Sequence, residues 1–86
     1  MPEITIYTKP SCPYCTAAKT LLRGKGAAFD EVNIESDREK ALAMIERTGR
    51  RTVPQIYIGA THVGGFDDLR ALDARGGLDP LLGSNA

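Results

Sequence analysis

The sequence predicts an α/β fold: a four-stranded mixed sheet with helices on both faces, in the order β-α-β-α-β-β-α. Three observations predict it. Alternating stretches rich in β-branched and aromatic residues recur at positions 3 to 8, 28 to 34, 55 to 58 and 61 to 63. Two stretches with apolar residues at helical spacing separate the first three of these, and another follows the last. The short link Gly59-Ala60 joins the last two strands as a hairpin, whereas the first two are joined through a helix and so lie parallel by a right-handed crossover.

Taken in order, Glu3-Ile4-Thr5-Ile6-Tyr7-Thr8 alternates as a strand does, and Lys9-Pro10-Ser11 ends it. A helix follows from Pro13 to about Leu22, with Ala17, Ala18, Leu21 and Leu22 as its apolar stripe and Gly24 and Gly26 as its stop. Ala28 to Ile34 is the second strand. Ser36-Asp37-Arg38-Glu39 reads as a capping box ahead of Ala41, Leu42, Met44 and Ile45, giving a second helix that ends at Thr48 or Gly49. Beyond the basic pair Arg50-Arg51 and Thr52-Val53-Pro54 comes the hairpin, closed by Gly64-Gly65. Asp67 or Asp68 is placed to cap a third helix that turns Leu69 and Leu72 inward and stops at Gly76-Gly77. Asp79-Pro80 starts a last short turn in which Leu78, Leu81 and Leu82 fold back, and residues 84–86 form a loose tail.

At 86 residues the chain, 1–86, reads as a single domain with one modest core. Eleven basic residues balance eleven acidic ones, which removes the charge argument for nucleic acid or an anionic membrane surface as partner. Neither a basic, apolar leader nor a bilayer-length apolar run is present, so a cytoplasmic location is expected. The two cysteines lie close together, and the short loop they would close stabilises by only about 2 kcal/mol, a poor reason for a structural bridge. Cys12, Cys15 and His62 are too few for a structural zinc site, which normally takes four ligands, so no metal is expected.

The chemistry centres on Cys12-Pro13-Tyr14-Cys15. A thiol at a helix start faces unpaired backbone N–H groups and the positive end of the helix dipole, which favours its anion. Pro13 suits the first helical position, and Cys15 lies one turn on, on the same side. Cys12 is therefore the expected nucleophile and Cys15 its resolving partner. If the third strand runs antiparallel to the first, the chain near positions 12, 53 and 66 converges. Two helix starts would then surround one sulfur, a site suited to a ligand carrying a thiol and carboxylates. His62, on a hairpin strand, reads as a surface residue with no catalytic role.

With Lys9-Pro10-Ser11-Cys12-Pro13-Tyr14-Cys15, Thr52-Val53-Pro54-Gln55-Ile56-Tyr57-Ile58 and Gly64-Gly65-Phe66-Asp67-Asp68-Leu69 in place, the chain resembles the bacterial-type dithiol glutaredoxins over nearly its whole length. The resemblance implies a thioredoxin-like fold, a cis peptide before Pro54, and glutathione as co-substrate in the reduction of protein-glutathione mixed disulfides and protein disulfides. It implies that Val53 pairs its backbone with the cysteinyl part of glutathione, and that Lys9, with Arg51 or Gln55, faces the glycine carboxylate. The choice between Arg50 and Arg51 stays open. Phe66 N–H and Asp67 would hold the γ-glutamyl end beside Gly65 and Pro54, with Tyr14 and Thr52 lining the slot. A monomer acting on glutathionylated or disulfide-containing proteins is expected, ribonucleotide reductase being a candidate among them.

Two other readings compete. A redoxin fed by a flavoprotein reductase would have no need of the Gly64-Gly65-Phe66-Asp67-Asp68 cradle. An iron-sulfur carrier, in which two chains each give Cys12 and glutathione gives two more thiolates, requires a dimer and is disfavoured by Pro13 and the competing Cys15 thiol.

Overall fold

The structure, a computed structural model, describes residues 2–83. The expected loose tail at 84–86 lies outside the described residues. The elements run β1 (Ile4–Thr8), α1 (Pro13–Gly24), β2 (Asp30–Asn33), α2 (Arg38–Thr48), β3 (Gln55–Ile58), β4 (Thr61–Gly64), α3 (Phe66–Ala74) and α4 (Leu78–Leu82). The sheet order is β2-β1-β3-β4, with β1 parallel to β2, antiparallel to β3, and β3 antiparallel to β4. The pairing assumed from sequence is the one present: Tyr7 lies opposite Gln55. The end of β1 and the start of β3 therefore share one edge of the sheet.

Period-two alternation divides the strands between two apolar layers. Ile4, Ile6, Ile56 and Ile58 point to one face, where Ala18 and Leu22 of α1, Leu69 of α3, and Leu78 and Leu82 of α4 cover them. Tyr7 and Tyr57 point to the other, where they meet Met44 of α2 and Ile34. Leu22, Met44, Leu69, Leu78 and Leu82 are fully enclosed. Each such side chain contributes about 1.5–3 kcal/mol by leaving water. Helices thus pack on both faces, as the sequence predicts.

Four local details differ from expectation. Gly24 is the last residue of α1 and Lys25 its C-cap; the left-handed residue just beyond is Gly26, φ 72°, whose N–H reaches Arg23 O at 2.9 Å. Asp37, not Ser36, caps α2, accepting from Lys40 N at 3.0 Å, so Glu39 is not the reciprocal partner. Leu42 is 52% exposed: the apolar face of α2 follows Ala41, Met44 and Ile45, and Leu42 falls off it. The C-terminal turn is a short helix, α4, which adds an element to the expected order; Lys25 ties the end of α1 to it and to α3 through Asp79 at 3.0 Å and Asp73 at 2.8 Å. No helix among the described residues is long and apolar enough to cross a membrane.

Candidate active site

At the shared sheet edge, Cys12 is the N-cap of α1 and Pro13 its first residue. The Cys12 Sγ accepts the backbone N–H of Cys15 at 3.2 Å, satisfying one of the donors a helix start leaves unpaired. In its thiol form Cys12 lies 3.6 Å from the Val53 carbonyl oxygen, toward which it donates. Both cysteines are free thiols; Cys12 is half-buried and Cys15 is 1% exposed. Burial, and then a hydrogen bond with Cys12, push the Cys15 thiol up to about 12. The outer sulfur is therefore reachable and the inner one is kept protonated at rest.

The Val53-Pro54 peptide is cis. Pro54 is buried and Thr52 exposed, and behind them lies Gln55, fully enclosed at 0% exposure. Its Nε2 donates to Thr52 O at 3.0 Å and to Thr52 Oγ1 at 3.2 Å, while its Oε1 meets His62 Nε2 at 2.8 Å. Because the Gln55 amide donates from its nitrogen, its oxygen must accept, so His62 carries its proton on Nε2. The His62 ring stacks on Tyr57 at 4.8 Å. Both polar atoms of Gln55 are thus engaged within the protein, and they tie the Thr52 loop to His62.

Across the slot, Gly65 caps α3 in place of the expected Asp67 or Asp68, and the helix starts at Phe66. Asp68, three residues on, accepts the Gly65 N–H at 2.9 Å and Arg50 Nη1 at 3.1 Å. These two partners, the backbone N–H first, hold the Asp68 carboxyl below the usual carboxylate range. Gly64 has φ 114°, a conformation other residues rarely adopt, and a Cβ there would collide with the Asp68 carboxylate. Phe66 faces Tyr14 with ring centroids 6.2 Å apart; Tyr14 is 62% exposed.

A cavity of about 220 Å³ lies between these walls, lined by Tyr14, Arg50, Thr52, Val53, Pro54, Gln55, Gly65, Phe66, Asp67 and Asp68. Eight residues named from sequence as glutathione contacts thus come together: Tyr14, Thr52, Val53, Pro54, Gln55, Gly65, Phe66 and Asp67. Lys9 and Arg51 do not join them. They line a second cavity of about 520 Å³ with Ile34, Glu35, Arg38, Met44 and Ile45, while Arg50 stands in the first. Sequence reasoning had Asp68 in the Gly64-Gly65-Phe66-Asp67-Asp68 cradle but missed its bonds to the Gly65 N–H and Arg50, although an acid three positions after a helix-capping glycine is a readable signal. Among the described residues no group of three or more His, Cys, Asp or Glu side chains is placed to hold a metal ion.

The arrangement offers one accessible sulfur at a helix start, a second beneath it, and an adjoining slot with backbone donors and charges of both signs. Comparison with known proteins is consistent across sequence and fold. The family model described as glutaredoxin matches residues 4–63. Glutaredoxin 3 of Escherichia coli (strain K12) is 60% identical over 82 residues, which is 95% of this chain and 99% of that protein. The solution structure of a glutaredoxin from Brucella melitensis superposes with a TM-score of 0.86 at 51% identity, covering 100% of this chain and 94% of that one. The crystal structure of a buckwheat glutaredoxin-glutathione complex gives a TM-score of 0.88 at 29% identity, over 95% of this chain and 77% of that one.

Proposed function

This chain belongs to the glutaredoxin family of glutathione-dependent thiol-disulfide oxidoreductases, and from that premise we propose that Cys12 is its nucleophile and Cys15 its resolving thiol. The observation that carries the assignment is the asymmetry of the pair: Cys12 is accessible and held by a helix-start N–H, whereas Cys15 is enclosed and its thiol is pushed up to about 12.

In the monothiol cycle the Cys12 thiolate attacks the glutathione sulfur of a protein-glutathione disulfide. A Cys12-glutathione bond forms, the old disulfide breaks, and the protein thiolate leaves and takes up a proton. A second glutathione thiolate then attacks the glutathione sulfur of the adduct, releasing glutathione disulfide and restoring Cys12. For a disulfide within a protein, Cys12 attacks first and Cys15, once deprotonated, displaces the substrate. Two glutathione molecules then reduce the Cys12-Cys15 bond.

Glutathione is placed with its cysteinyl backbone along Val53. Its γ-glutamyl end enters the smaller cavity at the Phe66 N–H and Asp67, and its glycine carboxylate reaches Lys9 and Arg51 in the larger one. Arg50 and Asp68, an ion pair at 3.1 Å, bound the γ-glutamyl end. The protein acts as a single-domain monomer on glutathionylated or disulfide-containing proteins, with ribonucleotide reductase a candidate. A cytoplasmic setting fits the small number of cysteines, since reducing compartments keep thiols free.

Two variants test the assignment. Cys12→Ser abolishes glutathione-dependent disulfide reduction, while Cys15→Ser keeps deglutathionylation and loses most reduction of protein disulfides. A fully active Cys12→Ser protein overturns the roles. Titration with glutathione, followed by chemical shifts, is expected to perturb Val53, Phe66 and Asp67; an unperturbed set removes the slot from the binding site.

A further inference from the structure

Away from the slot, on the side of α1 that faces β2, three polar side chains are joined. Thr8, 1% exposed at the end of β1, donates its hydroxyl to Glu31 Oε2 at 2.6 Å. The same oxygen receives Lys19 Nζ at 2.9 Å. The Thr8 hydroxyl and then Lys19 hold the Glu31 carboxyl below the usual carboxylate range, which favours its charged, paired form. Exposed ion pairs do little for stability. Here the Lys19 side chain, 21% exposed, is fixed through two contacts in series to the strand that leads into the active-site loop. Lys19 lies four residues after Cys15, the spacing that makes side chains neighbours on one helix face.

That position matters because Cys15 must lose its proton to act, in a site that otherwise opposes this. The groups acting on Cys15 are burial, the hydrogen bond with Cys12, a hydrogen bond from the Lys9 backbone, the charge of Cys12 and the charge of Lys19. The first, second and fourth disfavour its thiolate; the Lys9 amide and Lys19 favour it. When Cys12 becomes part of a mixed disulfide, its charge is gone and it no longer shares a thiol proton with Cys15. Among the described residues, Lys19 is then the one charged group acting on Cys15. Asp67, Asp68 and Arg70 of α3 are exposed and are not among the groups that act on it, and Glu31 and Arg23 are not either: Glu31 pairs with Lys19, and Arg23 acts on Glu31.

We propose that Lys19, held in place by Glu31 and Thr8, is a positioning residue for the resolving step, favouring the Cys15 thiolate while Cys12 is in a mixed disulfide. The proposal rests on the assignment of Cys15 as resolving thiol. In that step Cys15 gives up its proton to solvent and its sulfur attacks the Cys12 sulfur. The Cys15-Cys12 bond forms, the bond from Cys12 to the glutathione sulfur breaks, and glutathione departs as a thiolate that is then protonated. Cys15 is oxidised and the glutathione sulfur reduced.

The test is a single turnover. Reduced enzyme is mixed with a glutathionylated peptide, quenched with acid at intervals, and the Cys12-glutathione adduct is followed by mass spectrometry from neutral to alkaline pH. In Lys19→Gln the adduct decays roughly threefold to tenfold more slowly at neutral pH, and its rate levels off at higher pH than in the parent. Lys19→Arg, which keeps the charge, restores both. A Lys19→Gln profile that superposes on the parent overturns the proposal, as does a slowing without a displaced profile or one shared by Lys19→Arg. An adduct that does not decay in the parent itself instead overturns the resolving role of Cys15.

Discussion

Replacement of Gln55 by leucine tests how far the binding slot depends on an enclosed side chain whose polar atoms are engaged within the protein. Gln55 is wholly enclosed and makes three hydrogen bonds, two to Thr52 and one to His62. Leucine, shorter by one carbon, keeps a branched end without a polar atom. Each bond contributes about 0.5–1.5 kcal/mol net, and His62 Nε2 is left half-buried without its acceptor. The partners on Thr52, being exposed, recover water. The expected loss is about 2–3 kcal/mol, which in a domain of this size lowers Tm by roughly 10–20 °C. The same bonds hold the Thr52-Val53 wall, so the Michaelis constant for the glutathionylated substrate should rise about tenfold while kcat changes less than about twofold. Thermal unfolding and steady-state kinetics measure both. A stability change under about 0.5 kcal/mol with an unaltered Michaelis constant would refute the reasoning, because the network would then neither support the fold nor shape the slot.

Two further outcomes follow from the same wall and its opposite. Gly64→Ala is expected to cost about 1–2 kcal/mol through its φ of 114° and to push Asp68 off the Gly65 N–H, weakening glutathione binding; urea unfolding and calorimetric binding decide, and unchanged affinity argues against a role for Asp68. The His62 imidazole is held below its ordinary value of 6.5, by burial first and then by Arg50 and Arg47 against the opposing pull of Asp68. Its contribution to stability is therefore complete above about pH 6.5 and fades as the pH falls toward the lowered value, because the unfolded chain binds the proton more readily. Urea midpoints across that acid window should decline less steeply in His62→Gln; equal slopes contradict the assignment.

The elements whose signal is local were legible in the sequence. The Cys12-Pro13 helix start, the alternation of Ile4, Ile6, Ile56 and Ile58, and the glycines closing the hairpin each announce themselves within a few positions. What escaped depends on neighbours far apart in the chain. Nothing local says that Arg50 rather than Arg51 turns toward Asp68, since adjacent residues on an extended loop face opposite ways and only the sheet fixes which way is inward. The family resemblance offered Gln55 as a ligand contact, yet burial of its strand on both faces turns its amide to Thr52 and His62. The Thr8-Glu31-Lys19 cluster spans β1, β2 and α1, with Thr8 and Glu31 23 positions apart, and becomes visible only once the parallel pairing of the strands is known.

The enclosure of Cys15 also bears on how the molecule survives its own chemistry. Among the described residues, peroxides and alkylating agents in solution meet a single thiol, that of Cys12. A haloacetamide should accordingly label the reduced protein once, at Cys12. If a peroxide converts Cys12 to its sulfenic acid, the sulfur beneath condenses with it, expelling water and leaving a disulfide that glutathione can reopen before oxidation reaches the irreversible acids. Depth here acts as insurance for the exposed atom.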